Sequence, residues 1–593
     1  MRRTLSFAER AIPVKRSDEE LGRKATTALA WAIAALAVYA FLYTIASIVR
    51  LYTPIMFWDH WLVLDFLRPG QLTLAHLWSL HNEHRYLIGR LLSLADIVLF
   101  RGQGVSLYLE IFAFQTVHLL IFVWIVRRFT HFSRPLLISV LAFLLYCMFS
   151  PLQLENFVWS FQTGFVLAGC AAAACFLFAC WYATLPAERL RRRNFALAGC
   201  IFLAWVSEAS LANGVLVWPL LVFMALALGF RKRDLLMIFG NGVLAVALYM
   251  PGYHTPPLSA NPLDSIHHPV EVLKFVVTYL ASSWDPNGPS ASNFPSPAES
   301  LTMLAMAIAV LGALACLRNW KRPSPLRAFL YADMLFVLGT AFLTALGRLN
   351  FGYAEAASSR YQIFALAFWA SLAILGATYL NEMKAGWRAM AAAQIGVLAI
   401  LLGTPYRYSG IEHLFANRKN ELFAGYEDLV LGHLHSPSID KLFSLPKRLP
   451  GYLAILREYH AEPSLGMPEL LPADMNMDSY HVAPASACQG YIEHTAFDTQ
   501  KGYGVAGGWT WDNEDHRPPQ RMLVASVATG SIAGRNWLLI SRPDVSKIPG
   551  INSNMTGWNV SFHANGDGPY QVFAILGHNH LVCRIGKPFT LHK

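Results

Sequence analysis

Runs of about 20 apolar residues recur along the first two thirds of the chain and stop at Thr404. A helix of that length crosses the hydrocarbon core of a bilayer, which is about 30 Å thick. A water-soluble domain does not need such runs, and it usually carries about 25% charged residues. Only 14% of the residues in this chain are charged. The sequence therefore predicts an integral membrane protein.

Each apolar run predicts one membrane-spanning helix. The runs lie at about 26–49, 105–126, 135–150, 161–183, 195–211, 214–230, 235–251, 299–317, 327–347, 361–380 and 388–404. Arg and Lys cluster in the short tracts after alternate runs, as the positive-inside rule expects for cytoplasmic loops. This pattern places the N-terminus in the cytoplasm and the C-terminus outside. It also accounts for the net charge of +10 without a nucleic-acid partner.

The expected fold is a polytopic α-helical membrane protein of about eleven transmembrane helices, with an extracytoplasmic C-terminal domain that ends in a small antiparallel β-sandwich. The composition divides the chain into a cytoplasmic N-terminal tail (1–25), a transmembrane domain (26–404), an extracytoplasmic segment of short helices and linkers (405–487) and an extracytoplasmic β-sandwich domain (488–593).

Gly-bounded, alternating segments near the C-terminus predict the strands of this last domain. They are GYGVAGGWTW, RMLVASVA, NWLLIS, GWNVSF and YQVFAIL. Cys488 and Cys583 are the only cysteines after Thr404. Two lone cysteines that bracket one domain predict a disulfide if the domain faces an oxidising compartment.

The first predicted outer loop, at about 50–104, holds the densest group of ionisable side chains. Asp59 and His60 lie among aromatic residues soon after the first run, and Glu83, His84 and Arg85 follow further along the loop. A solvated loop with interfacial aromatic anchors is the plainer interpretation, but it does not explain the acids and imidazoles. We expect Asp59, Glu83 and His84 to be catalytic and His60 and Arg85 to bind substrate. The acids and histidines are also candidate ligands of a divalent metal, although no Asp-rich metal motif is present.

Two further outer segments carry polar groups at the ends of apolar runs. Glu155 and Asn156 precede one run, Gln162 lies one turn inside it, and all three suit sugar hydroxyls. A water-exposed helix cap is the alternative. Glu208 lies close enough to an apolar run to be partly buried, and an ionisable residue at membrane depth usually has a function.

Arg348, Arg360 and Tyr361 lie on the predicted outer side, against the positive-inside bias. Guanidinium groups bind phosphate through paired hydrogen bonds, whereas an ion pair with Glu355 is the alternative. A carboxylate that accepts a proton, groups that bind hydroxyls and arginines that stabilise a leaving phosphate are what sugar transfer from a lipid phosphate requires.

These features resemble the C-type multi-spanning glycosyltransferases, which use polyprenyl-phosphate sugars. The resemblance covers roughly residues 20–404 and rests on topology and on short motifs. It implies a polyprenyl-phosphate sugar donor, a glycan or lipid acceptor, and reaction at the outer face of the bacterial cytoplasmic membrane. The family has its catalytic Asp soon after the first helix, which matches Asp59 as the base of an inverting displacement. Several branches have a second acid directly after it, where this chain has His60, with Glu83 as a candidate substitute.

The segments GGWTWDNED and SRPDVSKIPGINSNMTGWNVSF resemble sandwich modules appended to bacterial envelope glycosyltransferases, in which such motifs are mainly structural. Sugar binding by Trp509, Trp511 and Asp512 is the alternative. Two other functions stay open for the whole chain. One is a transporter or flippase for a lipid-linked saccharide, which would place ionisable groups near the bilayer midplane. The other is a non-catalytic carbohydrate-binding protein of the envelope.

Overall fold

The computed structural model describes residues 11–255, 259–285, 294–318, 324–434, 436–467, 476–498, 503–536, 540–564, 568–577 and 581–591. The chain forms two compact units. The first comprises Met1–Arg50, Leu72–Leu92 and Ser106–Glu412, and the second comprises Leu51–Gln71, Ser93–Val105 and His413–Lys593. Two pieces of the first predicted outer loop therefore belong to the same unit as the C-terminal β domain.

The α-helices of the described residues are α1 (Ala11–Leu51), α2 (Leu74–Leu77), α3 (Leu87–Phe100), α4 (Val105–Phe129), α5 (Arg134–Met148), α6 (Leu154–Val158), α7 (Thr163–Thr184), α8 (Leu190–Glu208), α9 (Val217–Ala227), α10 (Lys232–Tyr249), α11 (Pro262–Ile266), α12 (Pro269–Ala281), α13 (Pro297–Arg318), α14 (Pro325–Arg348), α15 (Tyr353–Ala356), α16 (Gln362–Glu382), α17 (Trp387–Leu402), α18 (Pro405–Val430), α19 (Pro437–Leu442) and α20 (Leu449–Glu458).

Within the described residues, eight helical segments are long and apolar enough to cross a membrane. They are Asp18–Leu51, Val105–Phe129, Arg134–Val158, Ser160–Thr184, Pro297–Arg318, Pro325–Phe351, Ser359–Glu382 and Trp387–Val430. The chain is thus a mostly helical membrane protein with eight candidate spans. Each of the other three predicted runs also lies on a helix, but α9 has only 11 residues, and α8 and α10 begin with charged side chains. The predicted count of about eleven spans is therefore not confirmed.

Segments that the sequence places on the outer side contact one another in the first unit. The backbone N–H of Ala212, in the turn after α8, donates to Nδ1 of His84, at 3.3 Å. Arg348, at the end of α14, bonds to Glu83. At the opposite ends of these helices, two loops also meet. Arg231, directly before α10, donates to the carbonyl of Ala187, in the loop between α7 and α8, at 2.8 Å.

The described residues of the second unit form eight strands: β1 (His481–Val482), β2 (Cys488–Asp498), β3 (Tyr503–Asp512), β4 (Arg521–Ser526), β5 (Ile532–Asn536), β6 (Gly557–His563), β7 (Tyr570–Ile575) and β8 (Leu581–Phe589). They form one sheet with the order β1-β8-β7-β4-β5-β6-β3-β2, in which only the β1–β8 pair is parallel. The predicted two-sheet sandwich is therefore replaced by a single curved sheet, a half-barrel. The NWLLIS segment lies partly at 537–539, outside the described residues.

The predicted disulfide between Cys488 and Cys583 is confirmed, with a Cα–Cα distance of 6.3 Å. That distance lies within the usual range of about 4.4–6.8 Å. The bond joins β2, at one edge of the sheet, to β8, next to the other edge. Both cysteines are buried in a core with Trp558, Val560 and Phe562. The interior of the domain is thus enclosed by one curved sheet, whereas a sandwich would enclose it between two facing sheets.

Candidate functional site

Five side chains of the first unit form a group at the predicted outer end of the helices, which we call the outer carboxylate cluster: Glu83, His84, Glu208, Tyr249 and Arg348. Arg348 Nη2 lies 2.6 Å from Oε1 of Glu83, and His84 Nε2 lies 3.8 Å from the same oxygen. The Tyr249 hydroxyl donates to the backbone carbonyl of Glu83, at 2.5 Å. Glu83 and Glu208 both lie within electrostatic range of the Tyr249 phenol.

A tight turn positions the first two members of the cluster. The backbones of His81 and His84 exchange hydrogen bonds of 2.8 and 2.9 Å, and Asn82 between them has a φ of 52°. Asn tolerates this left-handed conformation better than most residues, because its short polar side chain can hydrogen-bond locally. The turn therefore projects Glu83 and His84 from adjacent positions into the group.

Glu83 is held as a carboxylate. Burial opposes its ionisation, but the neighbouring His84 and Arg348 favour it more strongly, so the pKa of Glu83 lies below its ordinary value. Because His84 Nδ1 accepts the Ala212 N–H, the ring proton belongs on Nε2, which faces Glu83. The second oxygen of Glu83, Oε2, is buried and accepts no hydrogen bond from any described residue.

Glu208 is fully buried at the end of α8. The indole Nε1 of Trp218 donates to its Oε2, at 2.6 Å, while Oε1 is buried and accepts no hydrogen bond from the residues that the structure describes. The chain turns back sharply after Glu208. A Cβ atom on Gly214 would lie 2.2 Å from the carbonyl of Ser207, so only glycine permits this approach. The position of Glu208 close to an apolar run predicted that it is at least partly buried, and the structure shows that it is buried.

The polar groups of the 150–162 and 355–361 segments meet beside this cluster. Arg360 forms an ion pair with Glu355, whose Oε1 also accepts the Tyr361 hydroxyl at 2.9 Å. Asn156 donates to the backbone carbonyl of Arg360, at 3.0 Å, and the Ser358 hydroxyl lies 3.4 Å from a Glu155 oxygen. The ion pair with Glu355 that the sequence offered as the alternative is thus present.

Gln162 and Arg85 are both buried. The guanidinium of Arg85 donates to the backbone carbonyls of Trp78, Tyr249 and Pro251. The Tyr249 and Pro251 carbonyls lie at the C-terminal end of α10 and the Trp78 carbonyl lies directly after α2, which favours a structural role for Arg85. Substrate binding by Arg85 and Gln162 stays a prediction.

Asp59 and His60 belong to the second unit, on a 3-10 helix at Trp58–Leu67. Trp58 has a φ of 48°, a conformation that is costly for a bulky residue. Such strain is found most often at functional sites. Asp59 is partly buried, whereas His60 is fully buried, and burial lowers the pKa of His60 to about 4. His60 is therefore neutral at neutral pH.

In the terminal domain, Trp511 and Asp512 are buried. Trp511 packs against Val545 and Ile551, and Asp512 Oδ1 accepts two backbone N–H groups at 3.0 and 3.1 Å. Trp509 is half-buried at the edge of the same group. These contacts favour the structural interpretation of the motif.

Tyr249 is not among the residues that the sequence predicts for the site, and its only sequence signal is its position at the end of an apolar run. Among the described residues, no group of three or more His, Cys, Asp or Glu side chains is arranged to hold a metal ion. No protein-family model, curated protein or solved structure matches the chain.

Proposed function

We propose that the protein is a membrane glycosyltransferase. It transfers a sugar from a polyprenyl-phosphate donor to a glycan or lipid acceptor at the outer face of the bacterial cytoplasmic membrane. The observation that carries this proposal is the outer carboxylate cluster, which brings carboxylates, an imidazole and a guanidinium together at one end of the candidate spans. A transporter does not need acid–base groups collected at one membrane face.

The chemistry assigns a role to each type of group. The acceptor hydroxyl loses a proton during transfer, and a carboxylate such as Asp59 accepts it. The leaving phosphate gains negative charge, which Arg348 and Arg360 stabilise. In the structure, each of these arginines bonds to one oxygen of a carboxylate, an anionic acceptor of the kind that a phosphate oxygen also provides. The carboxylates therefore keep the two guanidinium groups in position before the donor binds.

The topology of this proposal has eleven spans, with the N-terminus inside and the C-terminal domain outside. The loop contacts of α8, α9 and α10 support three further spans. The turn after α8 contacts the outer carboxylate cluster through Ala212 and His84, and Arg231, before α10, contacts the loop between α7 and α8. The Cys488–Cys583 disulfide is consistent with an oxidising compartment.

Reporter fusions test this topology. Alkaline phosphatase fused after Arg233 is expected to be inactive, because that basic tract lies in the cytoplasm, whereas a fusion after Thr404 is expected to be active. The same activity at both positions would exclude the eleven-span arrangement.

Arg348→Lys tests whether a guanidinium fork binds the phosphate. We expect transfer from polyprenyl-phosphate sugars to fall about 10- to 100-fold, since Lys keeps the charge but loses the paired donors, and a hydrogen bond to a charged group contributes about 1.5–3 kcal/mol. Arg327→Lys is the matched control, because Arg327 forms an exposed ion pair with Glu382 at the opposite end. An Arg348→Lys protein as active as the control would reduce Arg348 to a structural partner of Glu83.

A flippase for a lipid-linked saccharide is the second candidate, and two buried ionisable side chains inside the spans favour it. His118 is buried in α4, and Asp333 is buried in α14, where the Ser371 hydroxyl donates to it at 2.7 Å. Proteoliposomes distinguish the two functions. A flippase moves a fluorescent polyprenyl-phosphate sugar between leaflets and leaves it chemically unchanged, whereas a transferase converts it to a glycosylated acceptor.

A further inference from the structure

Within the part of the chain that the structure describes, three buried oxygen atoms around the turn after α8 accept no hydrogen bond: Glu83 Oε2, Glu208 Oε1 and Asn213 Oδ1. All three can only accept. A buried acceptor without a donor is unfavourable, and native structures contain few of them. Several acceptors in one region, with no matching donor among the described residues, point to a ligand that supplies donors.

The three side chains come from neighbouring positions in the first unit. Glu83 and Glu208 both act electrostatically on the Tyr249 phenol. Asn213 follows directly after Ala212, whose N–H bonds to His84, and its amide nitrogen donates to the Thr340 hydroxyl at 3.0 Å. Glu83 and Glu208 belong to the outer carboxylate cluster, and the turn after α8 connects Asn213 to it.

Each of these groups is also fixed in orientation by a bond to its other polar atom. Arg348 holds Glu83 through Oε1, Trp218 holds Glu208 through Oε2, and Thr340 holds Asn213 through its nitrogen. The unbonded oxygens consequently have fixed positions before any ligand binds. A preorganised set of acceptors recognises the pattern of donors on a ligand, rather than its size alone.

We infer that Glu83, Glu208 and Asn213 bind the hydroxyl groups of the sugar that is transferred, and that they determine which sugar the protein accepts. This inference rests on the proposed function. Sugar hydroxyls donate hydrogen bonds, and bonds from hydroxyls to carboxylates are short and strong. A phosphate diester or a hydrocarbon chain has no donors, so neither would satisfy these oxygens. The arginines and these acceptors would thus bind different parts of one donor molecule.

Binding to the full-length protein in nanodiscs tests the inference without requiring turnover. The probes are polyprenyl phosphates that carry glucose, galactose, mannose or arabinose, and bare polyprenyl phosphate. We expect at least one sugar-bearing lipid to bind about 10- to 100-fold more tightly than the bare phosphate. Glu208→Gln replaces the unbonded acceptor by an amide donor while an oxygen remains for Trp218, so the sugar-dependent gain should disappear. Glu382→Gln, in an exposed pair at the opposite end, should retain it.

Deoxy sugars provide a second test on the unmodified protein, which holds even if Glu208→Gln does not fold. A lipid-linked sugar that lacks one recognised hydroxyl should bind about tenfold more weakly than the parent sugar. Equal binding of the sugar-bearing and bare lipids would overturn the inference. So would unchanged sugar discrimination in Glu208→Gln, or displacement of the sugar by sodium, magnesium or calcium ions, which would make the oxygens a cation site. Sugar-dependent binding without any transfer would instead refute the proposed function, while the three side chains would still be assigned to sugar recognition.

Discussion

Replacing Asp59 by asparagine is expected to lower the rate of sugar transfer by about 10² to 10⁴-fold, the usual contribution of a general base. Asparagine keeps the shape of the side chain but cannot accept the proton of the acceptor hydroxyl. The position of Asp59 supports this role. It lies in the first turn of a short 3-10 helix, directly after Trp58, whose φ of 48° is maintained against a backbone cost. The measurement is transfer from polyprenyl-phosphate sugars by purified full-length protein.

Asp65→Asn is the matched control, because Asp65 lies on the same 3-10 helix. Its Oδ2 accepts hydrogen bonds from Arg448, at 2.7 Å, and from the Tyr452 hydroxyl, at 3.1 Å. Loss of these bonds should reduce stability but not the rate per folded molecule. Full activity of Asp59→Asn would show that Asp59 only supports the first turn of the 3-10 helix. A loss of activity in both variants that merely follows the loss of folded protein would also assign Asp59 a structural role.

Replacing Glu427 by glutamine is expected to destabilise the second unit by about 3–5 kcal/mol, as removal of one partner from a buried ion pair usually does. Glu427 Oε1 lies 3.4 Å from Arg521 and 3.7 Å from Arg535, and the three side chains are only 4%, 5% and 8% exposed. Burial lowers the pKa of Arg521 to about 10, and Glu427 opposes this effect. Without the carboxylate, the two guanidinium charges would repel each other in a medium of low dielectric constant.

Chemical unfolding of the full chain, followed by limited proteolysis of the C-terminal domain, measures this loss. Glu493→Gln serves as control. It breaks a bidentate pair with Arg542, in which the Glu493 side chain is 37% exposed, so we expect a loss of no more than about 1 kcal/mol. A loss of that small size for Glu427→Gln would show that the buried arginines are satisfied by other contacts.

Properties that depend on local pattern could be predicted from the sequence. A helix crosses a bilayer because of its length and apolar content, and both are properties of one segment. Every predicted run accordingly lies on a helix, and eight of them meet the requirements of a span. The alternation of apolar residues likewise predicted β3, β4, β6 and β7. The Cys488–Cys583 bond followed from counting, because the terminal domain offers no other cysteine.

Properties that depend on pairing between distant segments were decided only by the tertiary structure. The bond between Glu83 and Arg348 joins residues 265 positions apart, and the sequence alone could not choose between this partner and a phosphate. The disulfide was predictable, but the single curved sheet that it closes was not. The alternation of apolar and polar residues specifies the two faces of a strand, but it does not specify which strands lie next to it. Asp59 and Glu83 share one predicted loop but belong to different compact units, because tertiary contacts rather than sequence proximity define a unit. The sequence therefore determined which residues are candidates, and packing determined which of them meet.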